Sequence, residues 1–217
     1  MRMKTIELSS VTGFGGFDGA GKDNTAEALA KMTGVPIVAL GEVLGDIVEK
    51  LNYERDDRVA KSATSQELAR TYKDPAIMAN IALGLYDHVE VGGEVIRFDK
   101  SYANEDGELY ITSIRRLAEA EAIKKRGGLI LWIHAPIELR YERSILRARG
   151  SGDAFESFED FVERKEREMY PNDPTDPTHV NTSRVFGAAD YIYNNPDHSE
   201  DELNAHLAET FRITPRQ

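Results

Sequence analysis

Apolar and polar positions follow two rhythms along this chain, and the switches between them outline the expected elements. "MKTIELSSVTGF" mixes β-branched and apolar residues and ends in glycines, so it reads as a strand entering a loop. From Lys22 to about Met32 the rhythm is helical, with Ala26, Leu29 and Ala30 on one face, until Gly34 and Pro36 stop it. "VPIVAL" is a second short strand, and Gly41 to about Leu51 is a helix with Val43, Ile47 and Leu51 at turn spacing. A polar stretch, "NYERDDRVAKSATS", precedes helical patterns that resume near Gln66 and again through "PAIMANIALGLYDHV". "GELYITSI" is a strand, and "RRLAEAEAIKKRGG" a helix ended by glycines. The unbroken apolar run "LILWIHA" suits a strand buried on both faces. Pro136 then opens the basic helix "IELRYERSILRARG".

From Gly150 to about Arg184 the chain is charged, carries Pro171, Pro174 and Pro177, and holds one amphipathic piece, "FEDFVERKEREM". It reads as an insertion or flap. "AADYIYNN" is a last strand, and "SEDELNAHLAETF" a last helix, opened by Ser199 with Glu202 three residues on, a capping box. Strands alternating with helices predict one α/β domain over residues 1–217, a parallel sheet with helices on both faces and the flap at about 150–185.

Composition narrows the function. The 217 residues are 41% hydrophobic and 30% charged, which suits a single compact core. A net charge of −11 argues against broad nucleic-acid binding, while leaving room for a locally basic site that takes a small anion. The absence of cysteine excludes disulfides, thiolate metal sites and a cysteine nucleophile. The start has no secretory apolar region and no run is long enough to span a bilayer, so a cytoplasmic protein without membrane contact is expected.

"GFDGAGKDN", Gly16 to Asn24, carries the chemistry. Gly16, four residues, Gly21 and Lys22 match the spacing of a loop that cradles nucleotide phosphates, placed after a strand and at the start of a helix. Glycines let successive N–H groups of Gly16, Asp18, Gly19, Ala20 and Gly21 point inward, the helix adds its positive end, and Lys22 adds a point charge. Such a loop takes ATP with Mg²⁺. Where a hydroxyl usually meets the metal this chain has Asp23, followed by Asn24. Asp23 either ligates magnesium, as hard cations favour carboxylates, or is a first-turn acid favoured by the helix dipole. Thr25 is a weaker hydroxyl candidate.

"GFDGAGKDNTAEALA" resembles the loop of small nucleotide kinases: "DGAGK" is similar to thymidylate kinases, and "GKD" to phage deoxynucleoside monophosphate kinases and phosphomevalonate kinases. "ALGEVLGDIVEKLNYERDD", "ITSIRRLAEAEAIKK", "WIHAPIELRYERSILRARG" and "AADYIYNN" resemble segments of archaeal-type adenylate kinases and dephospho-coenzyme A kinases. The resemblance implies a three-layer P-loop NTPase fold with a lid, and transfer of phosphate from ATP to a small nucleotide, by a monomer or homodimer. It implies an acceptor lying between the Glu42–Asp46 region and Arg115, with Arg115 gripping its phosphate, and Asn194 or Asn195 beside the adenine unless both are only a turn. The chain departs from the pattern where Thr112 or Ser113 stands for an acid, with Asp99 a possible substitute, and where "G-D-x-x-R" lacks its arginine.

Phosphoryl transfer needs positive charge more than a nucleophile. Arg140, Arg143 and Arg147 share one helix face ahead of the flap, with Arg149 beyond, so a closing lid would deliver Arg143 and Arg147. Arg116, next to Arg115, should point elsewhere into a surface ion pair. No general base is evident; Asp18 or Asp46 could orient a hydroxyl. The five histidines have no ligand spacing, and Trp132 and Ile133 read as core. The rival class is a regulatory switch that hydrolyses ATP slowly.

Overall fold

The structure is a computed structural model that describes residues 6–98, 101–148, 157–170, 173, 175–195 and 199–211, with the backbone alone for 147, 148, 167 and 168. Its centre is a five-stranded sheet. The strands, numbered in chain order, are β1 (Val11–Gly16), β2 (Ile37–Ala39), β5 (Leu109–Thr112), β6 (Leu129–His134) and β7 (Tyr191–Asn194). They lie in the order β2-β5-β1-β6-β7, every pair parallel. The alternation of side chains divides the core between two faces. Leu109, Ile111, Ile130 and Trp132 join residues of α2 (Leu40–Lys50), α4 (Ile77–Ala82) and α5 (Leu117–Lys125). Tyr110, Leu131, Ile133 and Tyr193 join residues of α1 (Lys22–Thr33) and α9 (Glu200–Thr210). This is the expected three-layer arrangement.

Glycines in β1 let the layers approach. A Cβ on Gly13 would lie 2.5 Å from the Ile114 side chain, and one on Gly15 2.9 Å from Trp132. The strand starts at Val11, later than the sequence pattern predicts; before it, Ile6 pairs with Phe211 at the end of α9.

Two stretches fold differently from their apolar rhythm. The polar run is largely helical: α3 (Arg58–Thr71) begins well before Gln66, because the Asp57 carboxylate caps it by accepting from the N–H groups of Val59 and Ala60. "PAIMANIALGLYDHV" is not one helix. α4 stops at Ala82, and Gly84 turns the chain with a φ of 72°. Asp74 ties the region together, accepting from Asn80 (2.8 Å) and the Tyr86 hydroxyl (3.0 Å). A hairpin follows, β3 (His88–Val91) against β4 (Glu94–Arg97), joined by Gly92 and Gly93, both at positive φ as a two-residue turn demands.

After β6 come α6 (Ile137–Ala148) and α7 (Phe158–Met169), then α8 (Thr182–Gly187). α7 docks on α6 through Tyr141, whose ring lies 5.2 Å from Phe158 and 5.5 Å from Phe161. α8 belongs to the core, with Val185 fully buried in the same cluster as Trp132. Arg149, Asp99, Pro171 and Pro174 lie outside the described residues.

Candidate active site

The loop between β1 and α1 is at the C-terminal end of the sheet's central strand, where ligands of parallel sheets gather. Gly19 and Gly21 have φ of 79° and 82°, which side chains resist. Space forbids side chains as well: a Cβ on Gly19 would fall 2.6 Å from the Arg140 carbonyl oxygen, and one on Gly21 2.4 Å from Asn195 Nδ2. The loop closes with the Ala20 N–H donating to the Phe17 carbonyl (3.1 Å). Gly21 caps α1 without any side-chain acceptor, so no capping side chain covers the helix's first amides.

Lys22 is the first residue of α1, with Nζ 3.2 Å from Asp23 Oδ2. The Asp23 side chain is half exposed, yet its Oδ1 is buried and has no hydrogen-bond partner. Thr25 is fully buried on the core face of α1 and its hydroxyl too has no hydrogen-bond partner, so Asp23 is the more exposed of two oxygen donors at this end of the helix. Asn24 is exposed. Among the described residues no group of three or more His, Cys, Asp or Glu could hold a metal. A single carboxylate with an unmatched oxygen beside a phosphate loop fits magnesium, which takes one or two carboxylates, phosphates and waters. Asp23→Asn is therefore expected to raise the Mg²⁺ concentration needed for half-maximal turnover by roughly tenfold; an unchanged magnesium titration would assign Asp23 to the helix dipole alone.

Cations from two helices reach the loop. Arg143 Nη1 lies 3.4 and 3.5 Å from the Gly19 and Ala20 carbonyl oxygens. Arg140 is buried, its guanidinium 4.8 Å above the Phe17 ring. Arg147 follows one turn after Arg143 on the same face of α6; its side chain is outside the described part. From α7, Lys165 Nζ reaches Asp18 Oδ2 at 3.2 Å, a contact that no local pattern foretells. At the end of β7, Asn194 is exposed, whereas Asn195 is buried and donates from Nδ2 to the Ala20 carbonyl (2.8 Å). Asn195 is thus the asparagine that touches the loop.

At the end of β5, Ser113 adopts a left-handed φ of 64°, a conformation that costs a non-glycine residue energy and gathers at functional sites. Beyond this turn the two arginines part, as expected, but Arg116 goes inward. Arg115 is exposed, and Arg116 is buried at 4% rather than lying in a surface ion pair. Arg116 Nη2 donates to Ser65 Oγ of α3 (2.9 Å), and its Nη1 is 4.0 Å from Glu119 Oε1. Glu119 Oε2 accepts from the N–H groups of Arg115 (2.8 Å) and Arg116 (3.0 Å), which fixes the turn. Burial pushes the Glu119 carboxyl above its ordinary range, against the pull of Arg116.

On the opposite flank Glu42 and Asp46 share the exposed face of α2. Both bind Arg55, Glu42 at 2.8 Å and Asp46 by a direct contact, with Glu49 at 3.6 Å. Two surface cavities of about 320 and 260 Å³ lie between α3 and the β3–β4 hairpin, sharing Glu67 and Gly92; no residue of the phosphate loop lines either, so the loop's own geometry defines the site.

No protein-family model and no curated protein matches the sequence. Solved structures do match in shape. The shikimate kinase of Acinetobacter baumannii, solved in complex with shikimate, is 13% identical with a TM-score of 0.52, covering 95% of this chain and 93% of its own. The shikimate kinase of Bacteroides thetaiotaomicron is 16% identical with a TM-score of 0.49, covering 92% of this chain and 96% of its own. Among the described residues no helix is long and apolar enough to cross a membrane. A parallel β2-β5-β1-β6-β7 sheet between two helical layers, with a glycine-rich loop after β1, is a three-layer α/β fold, and the chain shares it over 95% of its length with the Acinetobacter shikimate kinase.

Proposed function

We propose that the protein is an ATP-dependent phosphotransferase whose acceptor is a small nucleotide, a ribo- or deoxynucleoside monophosphate. The observation that carries the reading is the phosphate loop itself: glycines in left-handed conformations, an α1 amino end without a side-chain cap, and Lys22 at its first position. Loop amides and the Lys22 ammonium would hold the ATP phosphates. Asp23 would hold magnesium, which neutralises charge on the phosphates when bound. Arg143, already against the loop carbonyls, would face the charge that develops during transfer, with Arg147 one turn further along α6 as a second cation, and α7 would keep water out. Arg115, exposed at the end of β5, is free to meet an acceptor phosphate, which is ionised near neutral pH and needs little help from a base.

A second reading, transfer to a hydroxyl of a small acceptor such as dephospho-coenzyme A, is favoured by the carboxylates of Glu42 and Asp46 in the region where the acceptor is expected. One panel separates these: purified protein, ATP and Mg²⁺ with each nucleoside monophosphate, dephospho-coenzyme A, phosphomevalonate and shikimate, read as ADP release. Stimulation by a monophosphate of one base supports the first reading, and stimulation only by a hydroxyl acceptor supports the second. Slow ADP release indifferent to every acceptor would favour a regulatory ATPase.

A further inference from the structure

The phosphate loop contains an acid, and α7 supplies the charge that offsets it. We propose that Lys165 is a nucleotide-positioning residue, paired with Asp18 so that occupancy of the loop and docking of α7 reinforce each other. The inference rests on the phosphate-binding reading of the loop. Lys165 is only 5% exposed, and lysine is almost never so buried unless its charge is matched. Its Nζ is 3.2 Å from Asp18 Oδ2, a residue 147 positions earlier, and 5.5 Å from the centre of the Phe161 ring. Phe161 is fully buried and packs on Tyr141, so α7 is anchored to α6 where Lys165 reaches the loop. Asp18 directly precedes Gly19, whose carbonyl Arg143 approaches. Cations from two helices thus meet consecutive residues of the loop.

A bare carboxylate here would repel a triphosphate. At a partly buried site that repulsion weakens binding by roughly ten- to a hundredfold. The Lys165 ammonium, 3.2 Å from that carboxylate, offsets it. Whatever ligand ammonium and loop share must then bind more tightly with α7 docked, and α7 must dock more firmly with the ligand bound.

The test is calorimetric binding of a non-hydrolysable ATP analogue with Mg²⁺ to wild type, Lys165→Met, Lys165→Arg, Asp18→Asn and the Lys165→Met/Asp18→Asn pair, with hydrogen exchange read on α7. Lys165→Met should weaken binding by roughly ten- to a hundredfold. Lys165→Arg should stay within about threefold of wild type, and Asp18→Asn should bind at least as tightly. The double variant should recover most of the loss, because the uncompensated acid is gone. The analogue should slow exchange in α7 of wild type and not of Lys165→Met. Equal binding by Lys165→Met and wild type, or a double variant as weak as Lys165→Met, would overturn the proposal. If Lys165→Met does not fold, weaker binding by Asp18→Asn overturns it. A wild-type protein that ignores the analogue would instead defeat the reading of the loop.

Discussion

On the proposed reading, Lys22→Ala is expected to lower kcat by about 10²–10³, the loss that follows removal of one preorganised charge donor from a transition state. Lys22 is the only side-chain cation at the first position of α1, where the helix's uncapped amides converge. A bound triphosphate in the ground state is held by those amides as well, so the loss should fall more on kcat than on the affinity for ATP. The fold has little reason to respond. Alanine is the best helix former, and the ion pair Lys22 makes with Asp23 is partly solvated, so stability should move by no more than about 0.5 kcal/mol. Steady-state kinetics beside a thermal melt measures both. Lys22→Arg is expected to recover little, because the larger planar guanidinium must fit a loop whose glycines leave no room for side chains. A variant that melts normally and turns over within threefold of wild type would remove Lys22 from the chemistry.

The loop was readable in the sequence because its determinants are local. Gly16, Gly21 and Lys22 sit within one strand–turn–helix unit, and their spacing in that context implies the cradle. The same holds for Ser199 and Glu202, whose capping box forms as predicted. Where the reading failed, either a local signal was outweighed or the cause was tertiary. "HVEV" and "EVIR" around Gly92–Gly93 carry a hairpin signal, yet the preceding run of apolar residues favoured a continuous helix. Asp57 was a cap hidden in a polar stretch. The assignment of Arg115 and Arg116 relied on neighbouring residues pointing in different directions, which is sound within a strand. The two do diverge, Arg115 outward and Arg116 inward; the surface ion pair fails because Ser65, 51 residues away, receives Arg116 in the interior. Lys165 and Asp18, far apart in sequence, meet through tertiary packing, in which Tyr141 docks α7 on α6.

The buried arginine leads to the largest effect on stability. Arg116→Ala should destabilise the fold by about 3–5 kcal/mol, since removing one partner of a buried pair leaves the other charge uncompensated. Glu119, 4% exposed, would keep two backbone N–H donors and lose its cation. For a domain of this size the melting temperature should fall by about 10 °C. Arg115→Ala, at an exposed side chain, should change stability by no more than about 0.5 kcal/mol, so the two neighbours separate the buried role from the expected surface one. The loss also has a sign in pH. Burial raises the folded-state pKa of Glu119, so the folded chain holds this proton more tightly than the unfolded chain. The corresponding stability is complete below the unfolded value and is lost as pH rises through the folded one. Without Arg116 the pKa rises further, so the gap between variant and wild type should widen as pH rises above the ordinary carboxylate range. Replacing the carboxylate as well, in Arg116→Ala/Glu119→Gln, should flatten that pH dependence, because the amide is neutral throughout. Urea unfolding of the variants at several pH values measures this, and a pH-independent deficit would mean that lost packing against Ser65, and not charge, sets the cost of removing Arg116.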